Sequence, residues 1–402
     1  MKKQIIFILI LSLITFNVIL LCNNTQNSIG SHDQGGHAIA ITNGILIDGT
    51  GDESIPDATV IIQDKYIHAV GTATSLTVPN GIDTININGS YILPGFMNTH
   101  VHGGYLESNL KEWMKSGITS VRDLGNFENP PEQAFSIRDK LLNNYKNARL
   151  IAAGPIVTTI GGYGNYSVNS PADAEKKING LIDAGADLIK IAIEDNLQGR
   201  TWPMLSEDEI KTIVETAHNR NKRVSAHITR AKHLDMAIKA GVDDVNHMIV
   251  NDLPDSLITQ MIEKDIYWVP TLELWNGVSE YHSLNWNIIA RNNLRLFVQT
   301  GGKVALGTDY DGYITHFELG IPLVEMHLMQ EAGMTPMQII IAGTKHAAHV
   351  CDLENELGTI EPNKIADLII VNGNPLEDLN VLSNIKMVIH NGEIIINNIK
   401  AS

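Results

Sequence analysis

Apolar and polar positions follow three different rhythms along this chain. From 37 to 92, runs of strand length (AIAITNGILID, ATVIIQDKYIHAVG, DTININGSYIL) are cut by short polar breaks, which predicts β-strands joined by tight turns. Asn43-Gly44 and Gln63-Asp64-Lys65 interrupt the β-branched runs, so hairpin turns are expected there. The far end repeats the rhythm in IADLIIV (365–371) and MVIHNGEIIIN (387–397), with Asn391-Gly392 as the turn. Segments 37–92 and 355–402 are therefore expected to build one small β-sandwich from both flanks of the chain.

Between these flanks, over 93–354, short apolar runs alternate with amphipathic stretches, the pattern of βα units around a parallel sheet. Strands are expected to end at His100, Arg122, Ala153, Ile193, His227, His247, Pro270 and Asp309. Helices are expected across 131–144, 173–184, 206–219 and 231–240. Ser206 and Glu209 have capping-box spacing, and Gly185 and Gly241 sit where a helix ends in a left-handed residue. Eight such repeats predict an α/β fold, a (β/α)8 TIM barrel whose active site lies at the C-terminal ends of its strands.

The third rhythm is the N-terminus. Lys2-Lys3 precede an apolar run over 5–21, which stops at Cys22 and a polar stretch over 23–36. That is an export signal at 1–22 followed by a linker. A Cys directly after the apolar run resembles a bacterial lipoprotein signal, whose Cys is lipidated after cleavage; Leu21 stands where that box has a small residue. The run is also long enough to serve as an uncleaved anchor. Both readings have the protein exported and tethered to a membrane, at the periplasmic or outer surface, through an N-terminal lipid or anchor.

Composition narrows the chemistry. At 402 residues the chain can bury a large core, and a formal charge of −16 without a Lys/Arg stripe argues against a nucleic-acid partner. Cys22 and Cys351 are the only cysteines, which excludes a disulfide framework and a Cys-rich metal site. Fifteen histidines point instead to imidazole ligands.

Several of them stand at strand ends. In YILPGFMNTHVHGG (91–104), His100 and His102 are two residues apart, so both rings project from one side of a strand. Neutral imidazoles so placed can share one borderline ion such as zinc. Lys190 stands alone in DLIKIAI (187–193), where an unpaired ammonium is costly to bury and a neutral amine is reactive; it can also snorkel out. His227 ends VSAH and His247 ends VNH, and each by itself also suits an apolar core. Asp309 ends VALGTD, where it can equally cap the following turn. All six fall on one rim of the expected barrel.

Their order, with GITSVRDLG (117–125), DAGADLIKI (183–191), AGVDDVNH (240–247) and ELGTIEPNKIADLIIVNGNPLED (356–378), resembles the amidohydrolase superfamily over 38–397. The branch it looks like contains imidazolonepropionase-like and Xaa-Pro-dipeptidase-like hydrolases. The resemblance implies that His100, His102 and Asp309 hold one divalent ion and His227 and His247 a second, with zinc the expected metal. It also implies that carboxylated Lys190 bridges them and that Asp309 moves the proton. The implied function is cleavage of a C–N bond in an amide, small peptide or cyclic amide by a metal-activated hydroxide. One alternative is a mononuclear deaminase or imidazolonepropionase-type hydrolase, which needs no carboxylated lysine. Another is a non-catalytic binding lipoprotein on the same barrel, which would be betrayed by a missing ligand; none of the six is missing.

Departures from the resemblance leave other roles open. GGYG stands at 161–164 where relatives carry GGHG, and Tyr163 either donates its phenol to a substrate carbonyl or packs. Arg230 follows His227 where an aromatic is commoner; it either holds a substrate carboxylate or is solvated. The short connection from His102 to a helix ending near Ser116 implies an opened wall, and Tyr310, Tyr313 and His316 are further rim candidates.

Overall fold

The computed structural model describes residues 38–197, 199–310, 317 and 319–399. The export segment with Cys22, and the rim candidates Tyr313 and His316, lie outside the described residues. Among the described residues no helix is long and apolar enough to cross a membrane.

Strands from both flanks join in one eight-stranded sheet. Ala38–Leu46 is flanked by Ile55–Gln63 on one side and by Asp83–Asn86 and Tyr91–Pro94 on the other. Tyr66–Thr72 extends the sheet beyond Ile55–Gln63. The two flanks meet where Leu368–Val371 pairs antiparallel with Tyr91–Pro94, and Ile385–His390 and Glu393–Asn397 continue from there. A bridge between Tyr66 and Ile365 ties the far strand back to the segment entering Leu368–Val371. The sheet thus wraps one apolar core in which Ile41, Val60 and Ile62 lie with Leu368, Ile370 and Ile389.

Two of the three expected turns are there. Asp64, at φ 54°, sits between Gln63 and its partner Tyr66, and Asn391-Gly392, both at positive φ, separates His390 from Glu393. Asn43-Gly44 differs: it lies inside the first strand, at a break in register between Ile41 and Gly44. A Cβ on Gly44 would meet Ile87 Cδ1 at 2.6 Å and Ile92 Cδ1 at 2.8 Å. Core packing demands glycine here, so the pair makes a bulge and not a hairpin.

The middle of the chain alternates parallel strands and helices. Its strands fall into two sheets and not one unbroken ladder. Phe96–Val101, Ile118–Asp123 and Arg149–Ala152 form the first. The second runs Tyr166–Val168, Ile156–Thr159, Ile189–Ala192, Val224–His227, Asp244–Asn246, Tyr267–Val269. The Asp187 N–H donates to the Ala152 carbonyl at 3.0 Å, linking the sheets on one side. On the other, Val304 bridges to Trp268, Thr99 N–H donates to Leu306 O at 2.8 Å, and Asp309 N–H donates to His100 O at 2.8 Å.

Seven of the eight expected strand ends fall within one residue of an observed one. The eighth segment, ending at Asp309, bonds to both neighbouring strands yet is not itself a strand. Asp309 has φ 64°, outside the extended region, and a Cβ on Gly307 would lie 2.5 Å from Val269 and 2.9 Å from the His100 backbone. Helices Pro131–Leu142, Pro171–Ala184, Glu207–His218 and Ala231–Ala240 match the amphipathic stretches. Ser206 and Glu209 form the capping box, and Gly185 and Gly241 end their helices at φ 117° and 85°.

Candidate metal centre

His100 lies in a fully buried strand, and its ring is 1% exposed. His102, one residue past that strand, is directed by the Gly125 carbonyl, 3.1 Å from its Nδ1. A ring whose Nδ1 donates to a carbonyl presents the lone pair of Nε2. Both Nε2 atoms stand 3.0 Å from Asp309 Oδ1, which the backbone turn at φ 64° aims between them. His247 follows the same scheme: Thr271 Oγ1 is 2.9 Å from its Nδ1. Its ring centroid is 5.0 Å from that of His100 and 4.6 Å from that of His227.

The polar atoms here lack the partners that burial ordinarily demands. His100 Nδ1 and Nε2, Lys190 Nζ, His227 Nε2 and Asp309 Oδ1 are all buried without a hydrogen bond, despite the 3.0 Å approaches. Acceptor lone pairs converging on one point, and not on each other's hydrogens, are what cation ligands require. The donor set therefore fits divalent ions, with imidazole and carboxylate donors of the kind zinc takes.

The electrostatics of His100, His247 and Lys190 agree with that fit, whereas His102 must give up a proton to serve as a ligand. Burial pushes the His100 imidazole down to about 3 and His247 well below its usual range, so both rings are neutral and can donate lone pairs. At His102 burial acts in the same direction, but the Asp309 carboxylate outweighs it and lifts the ring to about 9. Burial also opposes the Asp309 charge, and His100 and His102 more than reverse this, holding the carboxyl well below its ordinary value. Burial lowers Lys190 to about 7. A neutral amine at that position can react with carbon dioxide, as an ammonium cannot.

A cavity of about 450 Å³ opens on this centre. Its lining includes His102, Tyr105, Leu106, Phe127, Tyr163 and Asp309, and it runs along the short connection that follows His102. Leu106 and Phe127 are 56% and 59% exposed, unusually open for their size. The Tyr163 ring stacks on His227 with centroids 4.6 Å apart. Arg230 is not among the lining residues; its Nε donates to the Asn196 carbonyl at 3.4 Å. Tyr310 bonds the His102 N–H through its own carbonyl and packs its ring on Trp113.

Glu194 is a neighbour that motif reading passes over. Its Oε2 accepts from the Thr229 hydroxyl at 2.5 Å and lies 3.5 Å from His227 Nε2. It lies two residues past strand Ile189–Ala192 and four beyond Lys190, and that spacing of two strand periods was the available signal. Glu194, Asp195 and His233 also group their donor atoms, but Lys232 already pairs with Asp195, as does His233 Nε2 at 3.1 Å.

A family model described as the amidohydrolase family matches residues 91–395. The chain belongs to the amidohydrolase family. As a member it is a hydrolase acting on C–N bonds, and metal dependence is implied by the family. This amidohydrolase is 27% identical to an ochratoxinase from Aspergillus niger, over 86% of this chain and 84% of that one. It is 23% identical to an imidazolonepropionase from Thermoanaerobacter pseudethanolicus, over 79% and 85% of the two chains. Among solved structures, a Xaa-Pro dipeptidase with methionine bound in its active site superposes with a TM-score of 0.79 at 27% identity. That match covers 89% of the amidohydrolase and 99% of the dipeptidase.

Proposed function

We propose that this amidohydrolase cleaves the amide bond of a small peptide or N-acyl compound at a two-ion centre. His100, His102 and Asp309 would hold one ion, His227 and His247 the other, and Lys190, carboxylated, would bridge them. The carrying observation is the set of buried, unpartnered donor atoms, above all Lys190 Nζ at 1% exposure. An ammonium among prospective cation ligands would be repelled, whereas a carbamate offers two anionic oxygens. When bound, the ions would polarise the scissile carbonyl and acidify water.

The chain's own groups account for the rest. The Asp309 carboxylate, kept ionised by its histidine neighbours, accepts the proton of the attacking water and hands it to the leaving nitrogen. Leu106 and Phe127 offer an apolar wall for the substrate's side group. Tyr163 lines the same cavity with its ring stacked on His227, where a phenol can meet a carbonyl oxygen.

A second reading is a mononuclear centre of the deaminase or imidazolonepropionase type. It is favoured by the close grouping of His100, His102 and Asp309, whose donor atoms lie within 4.8 Å of one another without help from Lys190. Metal analysis of purified protein, paired with a hydrolysis screen of dipeptides, N-acyl amino acids and lactams, separates the two. Two ions per chain with amide hydrolysis are expected, and one ion with full turnover would overturn the binuclear reading.

The reading extends to location: residues 1–22 export the chain and Cys22 carries its lipid, supported by the dilysine start and the apolar run over 5–21. A Cys22→Ala chain should lose a fatty-acid label. If that variant remains membrane-bound and uncut, an anchor replaces the lipid.

A further inference from the structure

Helix Leu272–His282 starts without help from its own first residue. Thr271 occupies the N-cap position, where a threonine hydroxyl ordinarily accepts from the helix's first N–H groups, yet it makes no such bond. Its hydroxyl is turned the other way, to His247 Nδ1 at 2.9 Å. Its backbone sits at φ 49°, ψ 48°, a left-handed conformation that a β-branched residue adopts only under constraint.

Another helix supplies the missing cap. Glu325, in Leu323–Glu331, is 0% exposed, and its carboxylate spans the open helix start. Oε1 accepts from the Leu272 N–H at 2.9 Å and Oε2 from the Glu273 N–H at 2.7 Å. A carboxyl group that pairs with no cation among the described residues is expensive to bury, and burial pushes this one up to about 8. Two backbone donors and a helix N-terminus are what it receives in return. The same helix brings the Trp275 ring to 6.0 Å from His247, and Trp268 Nε1 donates to the His247 carbonyl at 2.7 Å.

We infer that Glu325 is a positioning residue for the metal centre: by capping Leu272–His282 it frees the Thr271 hydroxyl to orient His247. The Glu325 carboxylate bonds the helix start and none of the prospective ligands, so it acts through two intervening groups. The inference rests on the proposal that His247 is a metal ligand. Loss of such outer contacts weakens metal binding by roughly 10- to 100-fold.

The test is the zinc dissociation constant of the full chain, measured by competition with a chromophoric chelator. Glu325→Gln keeps the shape but turns an amide N–H₂ toward one of the two donors, and it should loosen zinc by about tenfold or more. Thr271→Val, which keeps the branched side chain and removes the hydroxyl, should reproduce that loss and gives a second route if Glu325→Gln folds poorly. In the Thr271→Val background, Glu325→Gln should weaken zinc little further, because the relay is already cut. Tight wild-type binding with unchanged affinity in both single variants overturns the inference alone. Fully additive losses overturn it too, since they assign Glu325 a role independent of Thr271. A wild-type chain that binds no zinc overturns the metal reading itself, and the inference with it.

Discussion

Arg122 and Asp244 form a bidentate ion pair with both side chains at 0% exposure, at 2.8 and 2.9 Å. Arg122 Nε also donates to the Thr99 carbonyl at 2.7 Å, beside His100, and Asp244 lies three residues before His247. Through the Thr99 carbonyl and Asp244, Arg122 thus ties together the segments that carry His100 and His247.

Removing one partner strands the other charge in the interior. Arg122→Met should destabilise the fold by about 3–5 kcal/mol. Urea unfolding monitored by tryptophan fluorescence measures this, and a loss under about 1 kcal/mol would mean that water reaches Asp244. Replacing both partners with apolar residues should recover much of the loss.

Lys190→Ala should abolish two-ion occupancy and most turnover while the far-ultraviolet dichroism stays native. A short carboxylic acid supplied in solution should restore part of the rate by standing in for the carbamate. Asp309→Asn should retain a carbonyl ligand and lose the proton path, lowering kcat by roughly 10²–10⁴-fold. Near-native turnover of Lys190→Ala with one ion would instead favour the mononuclear centre.

Arg230 lies outside the cavity lining and the apolar wall within it, so the two can be tested separately as substrate determinants. If Arg230 holds a carboxylate, Arg230→Met should raise KM for free-acid substrates several-fold and leave amidated ones unchanged. Phe127→Ala should lower kcat/KM for a substrate with a large apolar side group by about tenfold more than for a small one. Equal behaviour of Arg230→Met toward acid and amide removes Arg230 from the site.

His346 sets a pH dependence of stability. Burial pushes its imidazole down to about 4, with the nearby Lys303, Lys345 and His349 adding to the shift against the Val304 carbonyl, 2.9 Å from Nδ1. The Tyr267 ring meets it edge-on at 5.3 Å. A histidine depressed in the fold contributes stability above the unfolded value of 6.5, and that contribution is lost as pH falls toward 4. His346→Gln should therefore lose less Tm than the wild type between pH 7 and pH 4.5, with chelator present. Parallel pH profiles would show that His346 is not the group responsible.

Local periodicity made most of the site readable from the amino-acid order alone. His100 and His102 share a strand face because the strand period is two, and the ends of VSAH and VNH follow from apolar runs of strand length. The helix limits at Ser206, Gly185 and Gly241 were written in capping chemistry that acts within one turn. Asn43-Gly44 shows where such local reading stops. Its turn-forming pattern was overruled by Ile87 and Ile92 packing against the glycine, a contact with residues distant along the chain.

What tertiary structure alone decided are the partnerships across the chain. Glu325 reaches Leu272 over 53 residues, and Arg122 reaches Asp244 over 122, with no period or motif marking either one. Asp309 sits on a segment bonded between two strands without being one, because Gly307 packs against the His100 backbone and the chain must turn at positive φ. Secondary structure follows from neighbours a few residues apart, which the sequence prints side by side. Buried charge must find its counterpart wherever the fold delivers it, and that is a property of the assembled interior.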